Sequence, residues 1–274
     1  MRNSEGIIFD IDHFAVHDGQ GIRSAVYLKG CPLRCVWCHS PQSQEPEPQL
    51  LHIKEKCRGC RECHKADCMY DAIVMCGKKI SVHDLVNEIL PHKPFYDNSG
   101  GGVTLSGGEV LSQPEFSLSL LKSLKEKGIH TIVETSGMGS LQTLLDMSDF
   151  TDEFYYDIKS FNSKNHIKHT GVDNKTILSN LISLTKLRNG KGITIRTPLI
   201  PGYNDSESEI TDIYQLAVEN GISEIHLLKY NTLASAKYEW LSREYIPGDL
   251  KPHDDAYINN LIAKAHSSLK VKTL

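Results

Sequence analysis

Three cysteines near the beginning of the chain have a spacing that suits metal chemistry. Cys31, Cys35 and Cys38 form a C-x-x-x-C-x-x-C pattern, and no fourth cysteine follows nearby. Three thiolates on one short loop can hold three corners of an iron–sulfur cube, which leaves the fourth iron open to a substrate or cofactor. A closed structural zinc site, with His39 as its fourth ligand, is the alternative. The open position predicts a catalytic cluster.

A second group of cysteines comprises Cys57, Cys60, Cys63, Cys68 and Cys76. Its first three members have the C-x-x-C-x-x-C spacing of half a bacterial ferredoxin, which predicts one auxiliary [4Fe–4S] cluster. Four residues separate the third cysteine from the fourth, where three are usual. The fourth ligand is therefore either Cys68 or Cys76, and a structural zinc ion is the alternative occupant of this group.

The composition predicts one globular domain with a small insertion. The chain has 274 residues, of which 39% are hydrophobic and 23% charged. A net charge of -4 lacks the basic excess of a general nucleic-acid binder. The sequence contains neither a membrane-spanning apolar run nor a signal-peptide pattern, so we expect a cytoplasmic protein without a membrane partner. Two tight cysteine groups in such a protein indicate metal rather than disulfides.

Apolar runs alternate with helical periods along the remaining chain. We expect strands at 25–28, 103–105, 129–135, 154–158, 193–200 and 225–230, and helices near 116–124, 141–147, 177–187, 206–220 and 258–269. Segments 112–115 and 206–209 have the pattern of capping boxes. About six such units predict an α/β fold, a partial (β/α)6 TIM-like barrel with a small ferredoxin-like, Cys-rich insert.

The domain boundaries follow from composition. Residues 41–48 are rich in Pro, Gln and Glu and predict an extended connector. We expect residues 1–48 to begin the barrel and carry the cysteine loop, residues 49–80 to form the ferredoxin-like insert, and residues 81–274 to complete the barrel.

Polar motifs follow several of the expected strands. The Gly107-Gly108-Glu109 turn, Glu134 and the Asp157-Ile158-Lys159 run lie at or just past strand ends, and Arg196 lies within a strand. The carboxyl ends of parallel barrel strands share one mouth, so these groups should converge beside the cysteine loop.

Together the motifs resemble the radical S-adenosylmethionine (SAM) superfamily, and more narrowly its glycyl-radical-enzyme activating enzymes, of which the pyruvate formate-lyase activating enzyme is one. The resemblance covers about residues 6 to 240 and rests on the cysteine loop and on the runs 17–23, 99–109 and 157–159. It implies that the loop binds a [4Fe–4S] cluster whose open iron is chelated by SAM. Reductive cleavage would give a 5′-deoxyadenosyl radical, which takes the Cα hydrogen from a glycine of a partner enzyme.

The resemblance also implies residue roles. Gly107 and Gly108 would approach the SAM amino group, near the carboxylates of Glu109 and Glu134. The run Asp157-Ile158-Lys159 would meet the SAM carboxylate, where a monovalent cation can also sit, and Arg196 would lie near the ribose or carboxylate. Backbone groups around Trp37, Cys38 and His39 would meet the adenine, and Asp18 would face the partner's glycine loop.

Two features depart from the family pattern. Close relatives have a Pro-Tyr-His run whose histidine touches SAM, whereas this chain has Lys229, Tyr230 and Asn231. Asparagine can hydrogen-bond but cannot donate a proton near neutral pH. Many relatives have two ferredoxin-like motifs and this chain has one. Alignment with them slightly favours Cys68 over Cys76 as the fourth ligand.

Other functions explain fewer motifs. A radical SAM enzyme acting on a small molecule would not need the 17–23 and 99–109 runs. A ferredoxin-like electron carrier or a zinc-binding interaction module would leave the strand-end motifs unused. We therefore expect an anaerobic, monomeric activating enzyme that receives its electron from flavodoxin or ferredoxin, and the sequence leaves the identity of its glycyl-radical partner open.

Overall fold

A nine-stranded sheet forms the centre of the computed structural model, which describes residues 4–60 and 68–274. Its strands are β1 (Glu5–Ala15), β2 (Arg23–Leu28), β5 (Lys78–Ser81), β6 (Gly102–Gly107), β7 (Thr131–Thr135), β8 (Glu153–Asp157), β9 (Ile193–Leu199), β10 (Glu224–Lys229) and β11 (Lys270–Thr273). β3 (Gln49–His52) and β4 (Ile73–Cys76) form a separate antiparallel pair.

Seven of these strands are parallel neighbours in the order β11-β10-β9-β8-β7-β6-β2. The helices are α1 (Val82–Ile89), α2 (Lys93–Ser99), α3 (Pro114–Glu126), α4 (Leu141–Ser148), α5 (Ser163–Thr170), α6 (Lys175–Arg188), α7 (Glu207–Glu219), α8 (Ser235–Trp240) and α9 (Asp255–Ala263). Crossover helices cover a parallel sheet and set the next strand beside the last. The six expected strands are present, and the open sheet confirms the α/β partial barrel.

The sheet has edges that the sequence did not predict. β1 and β5 are antiparallel additions beside β2. The expected helix 258–269 is wrong beyond Ala263, because the chain turns at 264–269 and β11 pairs with β10. Ala265 and Leu269 still pack on the core from that turn. The edge of β10 offers unpaired backbone groups, and pairing with them outweighs the helical spacing of the apolar residues. Along the described part of the chain, no helix combines the length and apolarity needed to cross a bilayer.

The two expected capping boxes formed differently. Ser206 caps α7 by accepting from the Glu209 amide, but the Glu209 carboxylate accepts from Ser160, Phe161 and Asn162 instead of closing the box. The capping box expected at residues 112–115 does not form.

Gln113 is the residue that precedes α3, and its side chain joins two strands. Its Nε2 donates to the carbonyls of Ile7 and Lys29, at 2.7 and 2.8 Å, and its Oε1 accepts from the Ile7 amide at 2.8 Å. The Gln113 amide therefore fixes the end of β2 against β1, directly before the cysteine loop.

The structure differs from the sequence prediction in the connector and at the end of the insert. Residues 41–44 are buried against the cysteine loop, so the expected extended connector is wrong there. β5 returns to the main sheet at Lys78, two residues before the expected end of the insert. Cys63 lies outside the described residues.

Replacing Gln113 by Leu should destabilise the fold. The change leaves the Ile7 and Lys29 backbone groups without their side-chain partner, which costs about 1–3 kcal/mol. Anaerobic urea denaturation measures the loss. Gln142→Leu, which removes an exposed side-chain bond to Asp146, is the matched control and should change the free energy of unfolding little. Equal losses in both variants would contradict the assignment.

Candidate active site

The loop after β2 is held by backbone hydrogen bonds to distant segments. The amides of Gly30 and Cys31 donate to the carbonyls of Ser43 and Gln44, at 2.7 and 3.1 Å. On the other side, the Arg34 and Val36 amides donate to the carbonyls of Thr170 and His169, at 2.7 and 2.9 Å. The loop that carries the three cysteines therefore has a fixed course, although it forms no regular structure of its own.

A pocket of about 290 Å³ opens at the carboxyl ends of the parallel strands. Eleven of the expected site residues line it, namely Cys31, Cys35, Cys38, Trp37, His39, Gly107, Gly108, Glu134, Asp157, Lys159 and Asn231. Four expected site residues do not line this pocket, namely Asp18, Glu109, Ile158 and Arg196. The structure thus brings together residues that are up to 200 positions apart in the sequence.

Burial is the largest influence on the pKa values of the three cysteine thiols. It raises the pKa of Cys31 to about 12 and also raises the pKa values of Cys35 and Cys38. The Lys159 ammonium acts in the opposite direction on all three thiols. Thiols with raised pKa values stay protonated at neutral pH, so binding of a metal group must displace their protons.

The Gly107-Gly108-Glu109 turn packs directly on the cysteine loop. The Gly108 amide donates to Leu28 O and the Glu109 amide to Gly30 O, both at 2.8 Å. A Cβ on Gly108 would stand 2.4 Å from Gly30 O, so a side chain there would push the two segments apart. Gly107 has a φ of +114°, which also requires glycine.

Glu109 points away from the pocket. Its carboxylate accepts from Thr135 Oγ1 at 2.5 Å, from Ser136 N and Oγ at 2.8 and 2.5 Å, and from the Leu111 amide at 3.1 Å. Burial raises the pKa of Glu109, and these four donors oppose that rise. Glu109 therefore ties the loop after β7 to the glycine turn. A place beside a ligand ammonium, as expected from sequence, does not fit this geometry.

Glu134 and Arg196 form a buried ion pair beneath the pocket. Glu134 Oε1 accepts from Arg196 Nη1 at 2.6 Å, and Oε2 accepts from Ser106 Oγ at 2.6 Å. Arg196 lies over the Tyr155 ring, 5.0 Å from its centroid. Arg196 thus contacts Glu134 rather than lining the pocket itself.

Asp18 approaches the same pair from the turn between β1 and β2. Its backbone carbonyl accepts from Thr104 Oγ1 at 2.7 Å. Burial and then the Glu134 carboxylate raise the pKa of Asp18, whereas Arg196 lowers it. The Asp18 and Glu134 carboxylates therefore both interact with the Arg196 guanidinium.

Asp157 and Lys159 form the second charge pair at the strand ends, with 3.1 Å between Oδ2 and Nζ. Burial alone would lower the pKa of Lys159, but the Asp157 carboxylate raises it above its ordinary value, so the ammonium stays charged. Ile158 is buried between them, and its amide donates to Arg196 O at 2.9 Å.

The remaining expected residues lie at the rim. Trp37 packs edge-on against Tyr203, with 5.8 Å between ring centroids. The His39 carbonyl accepts from Lys237 Nζ at 3.0 Å, and burial lowers the pKa of His39. Asn231 Oδ1 accepts from the Leu233 amide at 2.9 Å.

Several lining residues were missed from the sequence. Ser136 follows the expected strand 129–135 and Tyr230 ends the expected strand 225–230, and a place at a strand end is the signal that could have identified them. Gln44 was assigned to an extended connector, yet it is 1% exposed and lines the pocket. Arg243, which contacts Gln44 across 199 positions, has no local signal.

The pairing of β3 with β4 separates Cys76 from Cys57 and Cys68 in the second cysteine group. Gln49 pairs with Cys76 at one end of this small sheet and His52 with Ile73 at the other. The chain then continues towards Cys57 on one side and Cys68 on the other. Cys76 lies three residues, about 10 Å, back along the strand from Ile73.

Known proteins with similar sequences are radical SAM proteins and activating enzymes. A model of the radical SAM superfamily matches residues 26–216. The isethionate sulfite-lyase activating enzyme of Nitratidesulfovibrio vulgaris is 34% identical, over 91% of this chain and 92% of that protein. The trans-4-hydroxy-L-proline dehydratase activating enzyme of Clostridioides difficile is 36% identical, over 87% of this chain and 89% of that protein.

Solved structures share the fold. A domain of pyruvate-formate lyase-activating enzyme from Bacteroides vulgatus superposes with a TM-score of 0.53 and 25% identity, covering 64% of this chain and 99% of that one. A radical SAM methyltransferase from Sphaerobacter thermophilus gives a TM-score of 0.61 at 13% identity, covering 92% of this chain and 66% of that one.

Replacing Asp18 by Asn should stabilise the protein at pH 7. The folded-state pKa of Asp18 is raised, so the ionised carboxylate costs folding free energy at pH 7 that a neutral amide does not. The advantage should shrink as the pH falls towards the ordinary value of 3.8, where the wild-type carboxyl is protonated. Urea denaturation midpoints across this pH range test the prediction.

The exposed Asp249 provides the control, since Asp249→Asn should leave the midpoint unchanged. A lower midpoint for Asp18→Asn at pH 7 would show that the Asp18 carboxylate stabilises the fold.

Proposed function

Because this chain belongs to the radical SAM superfamily and, within it, to the glycyl-radical-enzyme activating enzymes, we propose that its strand-end pocket is the site of that reaction. When bound, the [4Fe–4S] cluster and SAM supply the 5′-deoxyadenosyl radical that takes the Cα hydrogen of a glycine in a partner enzyme. The observation that carries the proposal is the convergence of Cys31, Cys35 and Cys38 with the glycine turn on one pocket.

The pocket fits a cluster better than a single ion. Across residues 4–60 and 68–274, no three His, Cys, Asp or Glu side chains converge closely enough to hold one metal ion. The thiolates of a cubane bind different irons and so stand farther apart than the ligands of one zinc. The cysteine loop would hold the cluster through Cys31, Cys35 and Cys38, and its fixed backbone would set the positions of these three thiolates.

The polar residues bind and orient SAM. Gly107 and Gly108 line the pocket at the turn that packs on the cysteine loop, and Glu134 presents a carboxylate to the SAM ammonium. Lys159 binds the SAM carboxylate, and Asp157 beside it provides oxygens for a monovalent cation. Arg196 holds the Glu134 carboxylate in position through their hydrogen bond.

The rim completes the binding site. Trp37 and the backbone around Cys38 and His39 contact the adenine, Ile158 contributes backbone groups, and Asn231 hydrogen-bonds SAM in place of the family histidine. Asp18, whose pKa is raised by burial and Glu134 and lowered by Arg196, faces the partner's glycine loop.

The Cys-rich insert, expected at residues 49–80, lies between the barrel segments 1–48 and 81–274 and ends before β5, which belongs to the main sheet. We assign its auxiliary [4Fe–4S] cluster to Cys57, Cys60, Cys63 and Cys68. The β3–β4 register supports Cys68 over Cys76, because Cys76 stands at the far end of the small sheet. A cluster held there would supply a route for the electron from flavodoxin or ferredoxin, and we propose that the enzyme acts as a monomer.

Cysteine variants separate the two clusters. Anaerobically reconstituted wild type should contain about eight irons, as expected for two [4Fe–4S] clusters, and form 5′-deoxyadenosine from SAM with dithionite. Changing Cys31, Cys35 or Cys38 to Ala should abolish cleavage. Cys68→Ala should retain about four irons, whereas Cys76→Ala should retain about eight.

The same series tests each part of the proposal. An intact, reducible cluster without SAM cleavage would contradict the activating-enzyme function. Loss of half the iron in Cys76→Ala, with full iron in Cys68→Ala, would reverse the ligand assignment. About four irons in wild type with full cleavage would make the insert a zinc or structural module.

A further inference from the structure

Gln44 is buried beside the cysteine loop and held by two hydrogen bonds. Its backbone carbonyl accepts from the Cys31 amide at 3.1 Å, its side-chain Oε1 accepts from Arg243 Nη1 at 2.8 Å, and the residue is 1% exposed. Gln44 also lines the pocket that contains Cys38. The side chain is thus fixed within the site that the proposed function assigns to the cluster.

The other end of this amide lacks a partner. Gln44 Nε2 is buried and forms no hydrogen bond to the residues that the structure describes. Leaving a buried donor unpaired is costly, so such a donor indicates an acceptor that arrives with a ligand. Because Gln44 and Cys38 line the same pocket, the Cys38 sulfur of a bound cluster is an acceptor of this kind.

We propose that the Gln44 side-chain amide, oriented by Arg243, donates a hydrogen bond to the Cys38 sulfur of the bound cluster and raises its reduction potential. This inference rests on the proposed function. An N–H donor withdraws negative charge from a thiolate, and the reduced cluster carries one more negative charge than the oxidised cluster. The hydrogen bond therefore stabilises the reduced form more than the oxidised form.

Arg243 is the positioning residue. A guanidinium has donors and no acceptor, so it can bind the oxygen of the Gln44 amide but not its nitrogen. This contact fixes which end of the amide faces Cys38. Arg243 is itself held, since its backbone amide donates to Tyr238 O at 2.9 Å and its guanidinium lies 5.4 Å from the Tyr238 ring centroid.

The test is the midpoint potential of the cluster in the reconstituted full chain, followed by electron paramagnetic resonance without SAM. For Gln44→Leu we expect about a tenfold smaller equilibrium constant for one-electron reduction, which is about 59 mV. Gln44→Glu keeps the size and the acceptor for Arg243 but replaces the donor by a charged oxygen, and should lower the potential further. Iron and sulfide analysis selects fully loaded samples.

Gln42 supplies the matched control, because it is a buried glutamine two residues away that does not line the pocket. Gln42→Leu should leave the potential unchanged. An unchanged potential in fully loaded Gln44→Leu, or an equal fall in Gln42→Leu, would overturn the inference. Neither result would affect the proposed function, which SAM cleavage decides separately.

The role of Arg243 has its own test. Arg243→Lys keeps the positive charge but loses the fork that orients the amide. The potential should fall, and combining this change with Gln44→Leu should lower it no further than Gln44→Leu alone. A wild-type potential in Arg243→Lys, or simple additivity in the double variant, would refute the positioning role.

Discussion

The site depends on how the backbone of the cysteine loop is held. A short loop with three cysteines has no ladder of its own, so its amides need carbonyl partners elsewhere. The buried segment at 43–44 supplies partners on one side, and the end of α5 supplies them on the other. The glycine turn then packs on the loop with no room for a Cβ at Gly108. These contacts fix the thiols before any metal arrives, so a bound cluster takes its orientation from the protein.

The buried charges follow from that placement. Glu134 with Arg196, and Asp157 with Lys159, stand at the ends of neighbouring strands, where isolated charges would lose hydration at great cost. Pairing of opposite charges lowers this loss of hydration energy when no zwitterionic ligand is bound. A ligand with both an ammonium and a carboxylate can bind a carboxylate of one pair and the cation of the other. Its charges then contact groups whose positions are already fixed. The pairs therefore lower the cost of burying these charges and leave fixed groups of both signs at the strand ends.

The sequence predicted the features that depend on local patterns. Parallel strands are continuous apolar runs, and the motif that follows each run marks the strand end, so the convergence of Glu134 and Lys159 was foreseeable. Features that depend on long-range pairing were missed. Gln113 caps no helix because its side-chain oxygen accepts from the Ile7 amide and its nitrogen donates to two distant carbonyls. β11 forms because β10 has a free edge, and Gln44 is buried because Gly30 and Cys31 need acceptors.

The insert is attached to the cysteine loop at Lys29, the residue before Gly30. Lys29 is fully buried, and its ammonium donates to Gln42 O at 2.6 Å. Burial lowers the pKa of Lys29, and nearby Cys76 at the end of β4 opposes this effect. Gly77 has no room for a side chain, since a Cβ would stand 2.7 Å from Lys29 Cδ. Cys76 therefore packs at the joint between the insert and the loop. Its burial there has a structural reason that does not require it to bind a metal.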